Sequence, residues 1–449
     1  MDARTLSSGL AKRLTTLRRD IHRKPEVGLH LPETQRRVLS ELEGLGLEIT
    51  TGRSLSSVTA VLRGTSPDRP TSDAPVVLLR ADMDALSVQE ENDLEFASEI
   101  SGAMHACGHD LHTSMLVGAA HMLAAQRDEI PGDVVFMFQP GEELHDGAAI
   151  MVAEGVLDAA GRRADAAYAL HVFSDRGQVG SFSTRADTIM SAADTLKVTV
   201  IGRGGHSSAP YRAIDPVTLA AEMVLALQTF VTRRFDVFDP VVIGIGAISG
   251  GDLAAPNAIP ERVRFSASVR SWSAASRDRF QAEVGPLLEG IAAGHRASVV
   301  VEVLPGYPAT ITDSVETEFA ARTITETFGA DRFTRLKNPL ACSEDFSRVL
   351  AKVPGSFIVL SAGEELEGGS EHADNHSARV RFSETVLTDG AALYAQLAAD
   401  RLTELVRDTS PVSTSAVSTP DFSTFSSSTG SPEATAASAP TTSLEKAVR

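Results

Sequence analysis

Leu10, Leu14, Leu17 and Ile21 recur at three- and four-residue intervals, so the segment 5–45 reads as helical. A second helix opens at Pro32-Glu33-Thr34, with proline at an early position where its missing N–H costs nothing. Further along, short apolar runs replace the helical period. Residues 57–63 and 75–80 read as strands, the second nearly all apolar and so buried on both faces. A helix of small apolar residues is predicted over 111–127, and buried strands over 133–138 and 165–171. Strands alternating with helices indicate an α/β layer around a largely parallel sheet.

Near Asp194 the pattern changes. Residues 196–200 alternate cleanly, then come a helix over 215–233, strands at 241–248 and 261–270, a helix at 275–293 and a strand at 298–304. That βαββαβ order suits an antiparallel sheet with helices on one face, a ferredoxin-like unit. The segment 194–305 is therefore expected to be a second domain inserted into the first, which comprises 1–193 and 306–407. After Tyr307 a helix, the Cys342–Phe346 loop, a strand at 356–361 and a long helix near 383–406 would complete the first domain. Residues 408–449 are rich in Ser, Thr, Ala and Pro and poor in large apolar side chains. Such a segment buries too little to offset its ordering entropy, and a disordered tail is expected. No internal repeat stands out.

Composition narrows the partners. At 449 residues and 43% hydrophobic content the chain can support two sizeable cores. A formal charge of −18 argues against nucleic acid or an anionic membrane as partner. The two cysteines, Cys107 and Cys342, give no disulfide framework, and Cys107 stands among histidines, which fits a reducing compartment. No run approaches the roughly 20 apolar residues of a membrane span, and the first residues carry no apolar signal core. A cytoplasmic protein is the expectation.

The chemistry concentrates in two places. Residues 105–112, His-Ala-Cys-Gly-His-Asp-Leu-His, gather a thiol, imidazoles and a carboxylate, and Gln-Pro-Gly-Glu-Glu follows at 139–143. Cys107 and His109 flank Gly108, so both side chains can converge on one or two metal ions, thiolate at ~2.3 Å and imidazole at ~2.1 Å. A bare Cys-Gly-His is more often only a loop, but His105, Asp110 and His112 add weight to ligation, and the Glu pair adds more. Glu142 and Glu143 follow a buried strand, at the carboxyl end where α/β sheets bind ligands. One of them held by metal cannot accept a proton; its neighbour can serve as general base. His171 ends the apolar run 168–170 and offers a further imidazole, and His376 precedes the final helix. Asp82 and Asp84 leave another buried strand, where they could bind metal or orient ligating histidines by hydrogen bonds; the orienting role is preferred. Together these residues point to metal-assisted hydrolysis.

Several motifs then occur in a recognisable order: Ile21-His-Arg-Lys-Pro-Glu-Val-Gly, Arg80-Ala-Asp-Met-Asp-Ala-Leu, Met104-His-Ala-Cys-Gly-His-Asp, Gln139-Pro-Gly-Glu-Glu, Ala169-Leu-His, Gly204-Gly-His-Ser-Ser-Ala-Pro and Ser343-Glu-Asp-Phe. The chain resembles the amidohydrolase branch of the aminoacylase and glutamate carboxypeptidase metallopeptidase family, which includes hippurate hydrolases, N-acyl-amino-acid amidohydrolases and indoleacetyl-amino-acid hydrolases. The likeness covers about residues 10–405. It implies a zinc-exopeptidase-type catalytic domain with a lid, and two divalent ions (zinc, manganese, cobalt or nickel). Cys107 would bridge the ions, with His109, Glu143, His171 and His376 as the remaining ligands. Glu142 would be the general base and His206, on the lid, would stabilise the oxyanion, often in the partner subunit of a homodimer formed through the lid. Asn257 would bind substrate and Arg270 would hold its carboxylate. The substrate implied is an N-acyl-L-amino acid, cleaved to a carboxylic acid and a free amino acid.

The chain departs from the family pattern at Ser87, in place of the usual proline, at Leu144-His145-Asp146-Gly147, in place of a glycine run, and at Asn375-His376-Ser377. His145 is thereby an extra potential donor near the metals, with a place behind the ligands or in solvent as the preferred expectation. Three rival readings stay open: a dipeptidase or carboxypeptidase using the same site, a hydrolase with Cys107 as nucleophile, and a non-catalytic binding homologue.

Overall fold

The computed structural model describes residues 3–364 and 373–409. The expected tail, 408–449, falls almost wholly outside the described residues. Two sheets organise the rest. The larger has eight strands, and its central members Asp133–Gln139, Val76–Asp82, Ala166–Phe173 and Gly355–Ser361 run parallel. Each of these four is buried along its whole length, as their continuous apolar runs require. The sheet is less uniform than the strand–helix alternation predicts. Val58–Arg63 pairs antiparallel with Asp133–Gln139, and Phe182–Thr184 antiparallel with Gly355–Ser361. Val58–Arg63 also pairs antiparallel with Glu48–Thr51, the strand before it.

One face of this sheet is covered by the helices Ala3–His22, His109–Ala125 and Val386–Thr409, which share a core with it through Leu14, Leu116, Leu393 and Leu397. His109–Ala125 is buried nearly all round, so its apolar residues show no single stripe. The other face packs Ala148, Met151, Leu157, Phe346 and Val349.

The second sheet lies between Ala192 and Pro305 and has its own core around Leu196, Leu227, Phe265 and Leu288. Its strand order is Val241–Gly250, Arg262–Ser271, Ala192–Ile201, Ser298–Pro305, and every pair is antiparallel. The helices Pro216–Arg234 and Ala274–Gly294 supply the rest of that core. Asp215 and Ser273 cap them by accepting the backbone N–H groups of Val217 and Ser276. This is the βαββαβ arrangement expected of 194–305. No described helix is long and apolar enough to cross a membrane.

Parallel strands bring their carboxyl ends to one edge of the sheet. Asp82, Gln139 and His171 therefore arrive side by side, although 30 or more residues separate them in sequence.

Candidate metal centre

Gly108 is the N-cap of the helix His109–Ala125 and lies in the left-handed region at φ 89°. A Cβ there would stand 2.3 Å from Val172 Cγ2, so glycine is required on steric and conformational grounds alike. That tight turn lets Cys107 and His109 face the same side, against the strand carrying His171.

The donors converge. Cys107 Sγ lies 3.5 Å from His171 Nε2 and 3.3 Å from His376 Nε2, and His376 Nε2 lies 3.1 Å from Glu143 Oε1. Ligand atoms of Cys107, Glu143 and His376 form one group within 4.8 Å, and those of His109, Glu142 and Glu143 form another. His171 Nδ1 donates to the carbonyl of Val172 at 2.8 Å, which fixes the tautomer and leaves Nε2 with its lone pair turned to Cys107. His109 is fully buried, yet among the described residues neither ring nitrogen makes a hydrogen bond, the nearest carboxylates being those of Asp84 and Asp82 at 3.5 and 3.7 Å. Buried polar atoms left without partners are costly, and here they lie beside a thiol, imidazoles and a carboxylate. This donor set fits a divalent transition metal.

His112 is a different case. Its Nδ1 donates to Asp82 Oδ1 at 2.6 Å, and its Nε2 accepts the N–H of Val172 at 2.8 Å. Both nitrogens are spent, so the ring ties two strands together and is not available as a ligand. Asp82 also accepts from Arg80 Nη1 at 2.7 Å and approaches His109 Nε2 at 3.7 Å. Asp84 Oδ1 and Oδ2 accept the backbone N–H groups of Glu142 and Glu143, at 2.9 and 3.0 Å. Asp84 Oδ1 stands 3.5 Å from His109 Nδ1 as well. Both aspartates thus contact neighbours of the donor set, and Asp82 also brings a carboxylate oxygen within 4.8 Å of ring nitrogens of His109, His112 and His171.

The two adjacent glutamates are driven apart electrostatically. Burial, reinforced by Glu344, Glu143 and Asp345, pushes the Glu142 carboxyl well above its ordinary pKa. Burial also opposes the charge on Glu143, but His376 and His109 outweigh it and hold Glu143 low. His376 is raised to about 10, first by Cys107 and then by Glu143. Neighbouring carboxyls with opposed shifts are the arrangement in which one carries protons while the other stays anionic.

Beneath them lies a network that composition and spacing give no sign of. Arg80, 1% exposed, donates to Gln139, Asp82, Glu344 and Asp345 at 2.7–2.9 Å. Gln139 Nε2 donates in turn to Asp345 Oδ2 at 2.7 Å. Glu142, Glu344 and Asp345 bring carboxylate oxygens within 4.8 Å of one another, with Arg80 as the cation donating to Glu344 and Asp345. Fully buried ions persist only when paired and hydrogen-bonded this closely. The Ser343-Glu-Asp-Phe run is visible in the sequence; that it closes over the Glu pair is not.

A cavity of about 240 Å³ opens onto Cys107, Glu142, Glu143, His171 and His376. Phe173, Met190 and Cys342 make its wall less polar, and Glu344 also reaches it. A larger cleft of about 760 Å³ lies between the helices Pro216–Arg234 and Ala274–Gly294, but it carries no His or Cys. Chemistry, not volume, selects the smaller one.

Three expected residues stand apart. His206 and Asn257 are exposed on a two-stranded ribbon, Gly205–His206 against Ala258–Ile259, and do not line the cavity. There Ser207 N–H donates to Asn257 O, and Ser208 Oγ lies 2.8 Å from His206 Nδ1. Arg270 comes nearer: its Nη1 donates to Oγ of Ser343, a cavity residue, at 3.0 Å. Burial lowers the Arg270 pKa, and among the described residues no carboxylate pairs with it. His145 is exposed and stands against Gly28, outside the cavity.

Comparison with known proteins adds a separate line. Residues 78–400 match the model of peptidase family M20/M25/M40. The chain is 34% identical over 395 residues to an Arabidopsis thaliana IAA-amino acid hydrolase, ILR1-like 2, covering 87% of this chain and 85% of that one. It is 33% identical to thermostable carboxypeptidase 1 of Saccharolobus solfataricus, over 85% of this chain and 93% of the relative. A solved Bacillus subtilis structure, described as a dinuclear metal-binding peptidase, superposes with a TM-score of 0.74 at 28% identity, covering 88% of this chain and 99% of that one.

Proposed function

The chain belongs to peptidase family M20/M25/M40, and from that premise we propose that it is a metal-dependent amidohydrolase releasing a free amino acid and a carboxylic acid from an N-acyl-L-amino acid. One observation carries the reading: Glu142 and Glu143 stand side by side at the wall of a cavity that also holds Cys107, His171 and His376, with burial pushing the Glu142 carboxyl up and His376 and His109 holding Glu143 low. Amide hydrolysis needs that division of labour.

In this reading Cys107, His109, Glu143, His171 and His376 hold two divalent ions, and zinc, manganese, cobalt and nickel all suit such donors. A bound pair supplies Lewis acidity and lowers the pKa of water. Glu142 takes the proton of the attacking water and delivers it to the departing nitrogen. Arg270, which no carboxylate among the described residues pairs with, receives the α-carboxylate of the substrate in its planar fork. His206 and Asn257 share one ribbon, so a single movement of the 194–305 unit, or a second copy of the chain docking through it, would deliver both to the site. The unit would then serve as lid and dimer contact.

The likeness to a carboxypeptidase gives a second reading of the same site, in which the acyl group is itself a peptide. Release of amino acid from a panel of N-acyl amino acids and dipeptides, before and after chelation and metal re-addition, separates them. About two metals per chain with chelator-reversible release from N-acyl amino acids is the expected result. Preference for dipeptides would shift the assignment to peptidase. Activity that survives metal removal would move the nucleophile to Cys107, and a metal-loaded but inert protein would favour a binding homologue.

A further inference from the structure

The chain passes between the large sheet and the 192–305 sheet at Ser191–Asp194 and again at Pro305–Tyr307, and the two crossings are fastened to each other. Gly306 N–H donates to Asp194 Oδ1 at 3.0 Å, and Ala193 N–H donates to Tyr307 O at 3.0 Å. Arg277 grips Asp194 through Nη2 at 2.6 Å and reaches the carbonyl of Gly306 at 3.1 Å. The crossings approach so closely that a Cβ on Gly306 would lie 2.2 Å from Ala193 O.

From this junction the Tyr307 side chain, 8% exposed, turns to the glutamate pair. Its hydroxyl donates to the backbone carbonyl of Glu142 and accepts the N–H of Asp146 at 3.3 Å. Burial and the carboxylates of Glu142 and Asp345 push its pKa up, so it stays a donor. Arg348 reinforces the same link, bonding Asp146 Oδ2 at 2.6 Å and Gly306 O at 3.2 Å.

The turn it spans needs holding. Leu144 and Asp146 both lie in the left-handed region, at φ 67° and 53°, which residues bearing a Cβ disfavour. Leu144 is 91% exposed, so packing does little to fix it. Asp84 secures the N–H side of the pair, and Tyr307 secures the carbonyl side.

We propose that Tyr307 is a positioning residue that sets the orientation of Glu142 and couples it to the junction with the 192–305 unit, so that movement of that unit is felt at the proton carrier. The inference rests on the reading of Glu142 as general base.

The test is Tyr307→Phe in the full-length, metal-loaded protein, assayed on an N-acyl amino acid that the wild type cleaves. We expect kcat to fall at least fivefold, with KM within twofold and metal content unchanged. Replacing Tyr307 with 4-aminophenylalanine restores a donor and should bring kcat back within threefold of wild type. In a Glu142→Gln background the same Tyr307→Phe change should alter the residual rate less than twofold, because the residue acts through Glu142. A smaller fall in kcat, a loss that tracks metal content, or an equal loss in the Glu142→Gln background overturns the proposal. Should Tyr307→Phe fail to fold, the 4-aminophenylalanine protein decides: fully metallated and more than threefold slower than wild type, it overturns the coupling. A wild type that is inert on N-acyl amino acids, or active without metal, would instead defeat the underlying reading.

Discussion

Asp84 Oδ1 accepts the backbone N–H of Glu142 at 2.9 Å, across 58 positions of sequence. Its other oxygen takes the N–H of Glu143 at 3.0 Å, so one carboxylate at the end of one strand fixes both glutamates at the end of the next. Asp84→Asn keeps the shape but turns an NH2 group toward one of those N–H donors. With Asp84 1% exposed, leaving a donor unsatisfied costs about 1–3 kcal/mol. Thermal unfolding should show a lower Tm, and kcat should drop with it; unchanged values of both would mean that the turn does not depend on Asp84.

Glu142→Gln removes the carboxyl proposed to carry the proton and leaves the proposed metal donors in place. The expected loss in kcat is about 10²–10⁴-fold, with metal content as in wild type. Glu143→Ala should lower metal content and activity together. Near-normal turnover in Glu142→Gln would show that the proton moves through another group.

Among the described residues His109 makes no hydrogen bond that its replacement could break. In metal-free protein His109→Ala should cost packing and the attraction of the ring to Asp82 and Asp84, which lie 3.7 and 3.5 Å from its nitrogens. Ligand binding stabilises the folded state as RT ln(1 + [L]/Kd), so the rise in Tm on adding metal should shrink in the variant. An undiminished metal-induced rise would exclude His109 from the ligand set.

Arg270→Met should raise KM about 10–100-fold, the equivalent of one charge-assisted pair of about 1.5–3 kcal/mol. Metal content should not change. Steady-state kinetics with N-acyl amino acids and with their amides, which lack the carboxylate, give the check: the variant should lose its preference for the free acid.

Burial lowers the pKa of His105 to about 3, against a smaller opposing pull from Asp110. The unfolded chain, with histidine near 6.5, therefore binds more protons than the folded one between those values. Stability from this group is complete above pH 6.5 and is lost as pH falls toward 3, by about 1.4 kcal/mol per pH unit. His22 works in the opposite sense: Asp110 outweighs its burial and raises its pKa, so its contribution is present below pH 6.5 and fades above. Denaturant unfolding of metal-free protein at pH 7, 6 and 5 should show a shallower acid loss in His105→Gln; equal slopes would place the proton uptake elsewhere.

Much of the layout was legible before any coordinate. The continuous apolar runs 75–80 and 133–138 announce buried parallel strands, and the alternation beginning at Leu196 announces the second, half-exposed sheet. Cys107-Gly108-His109 and Glu142-Glu143 stand out because a thiol, imidazoles and paired carboxyls at strand ends are poor choices for idle surface. The reversed strand Val58–Arg63 was not foreseen, since period-two patterning specifies burial and carries no strand direction.

What the sequence determined is therefore the set of groups and the strand ends that carry them, because both follow from local periodicity and side-chain chemistry. Which of those groups is free to act was decided only by tertiary contacts. His109 and His112 are indistinguishable as imidazoles three positions apart, yet His112 spends both nitrogens on Asp82 and Val172 while His109 makes no hydrogen bond among the described residues. Glu142 and Glu143 are the same residue type, and the burial and charges contributed by Glu344, Asp345 and His376 from distant segments move one pKa up and the other down. A hydrogen bond or a Coulomb interaction depends on distance in space, and sequence separation does not measure it.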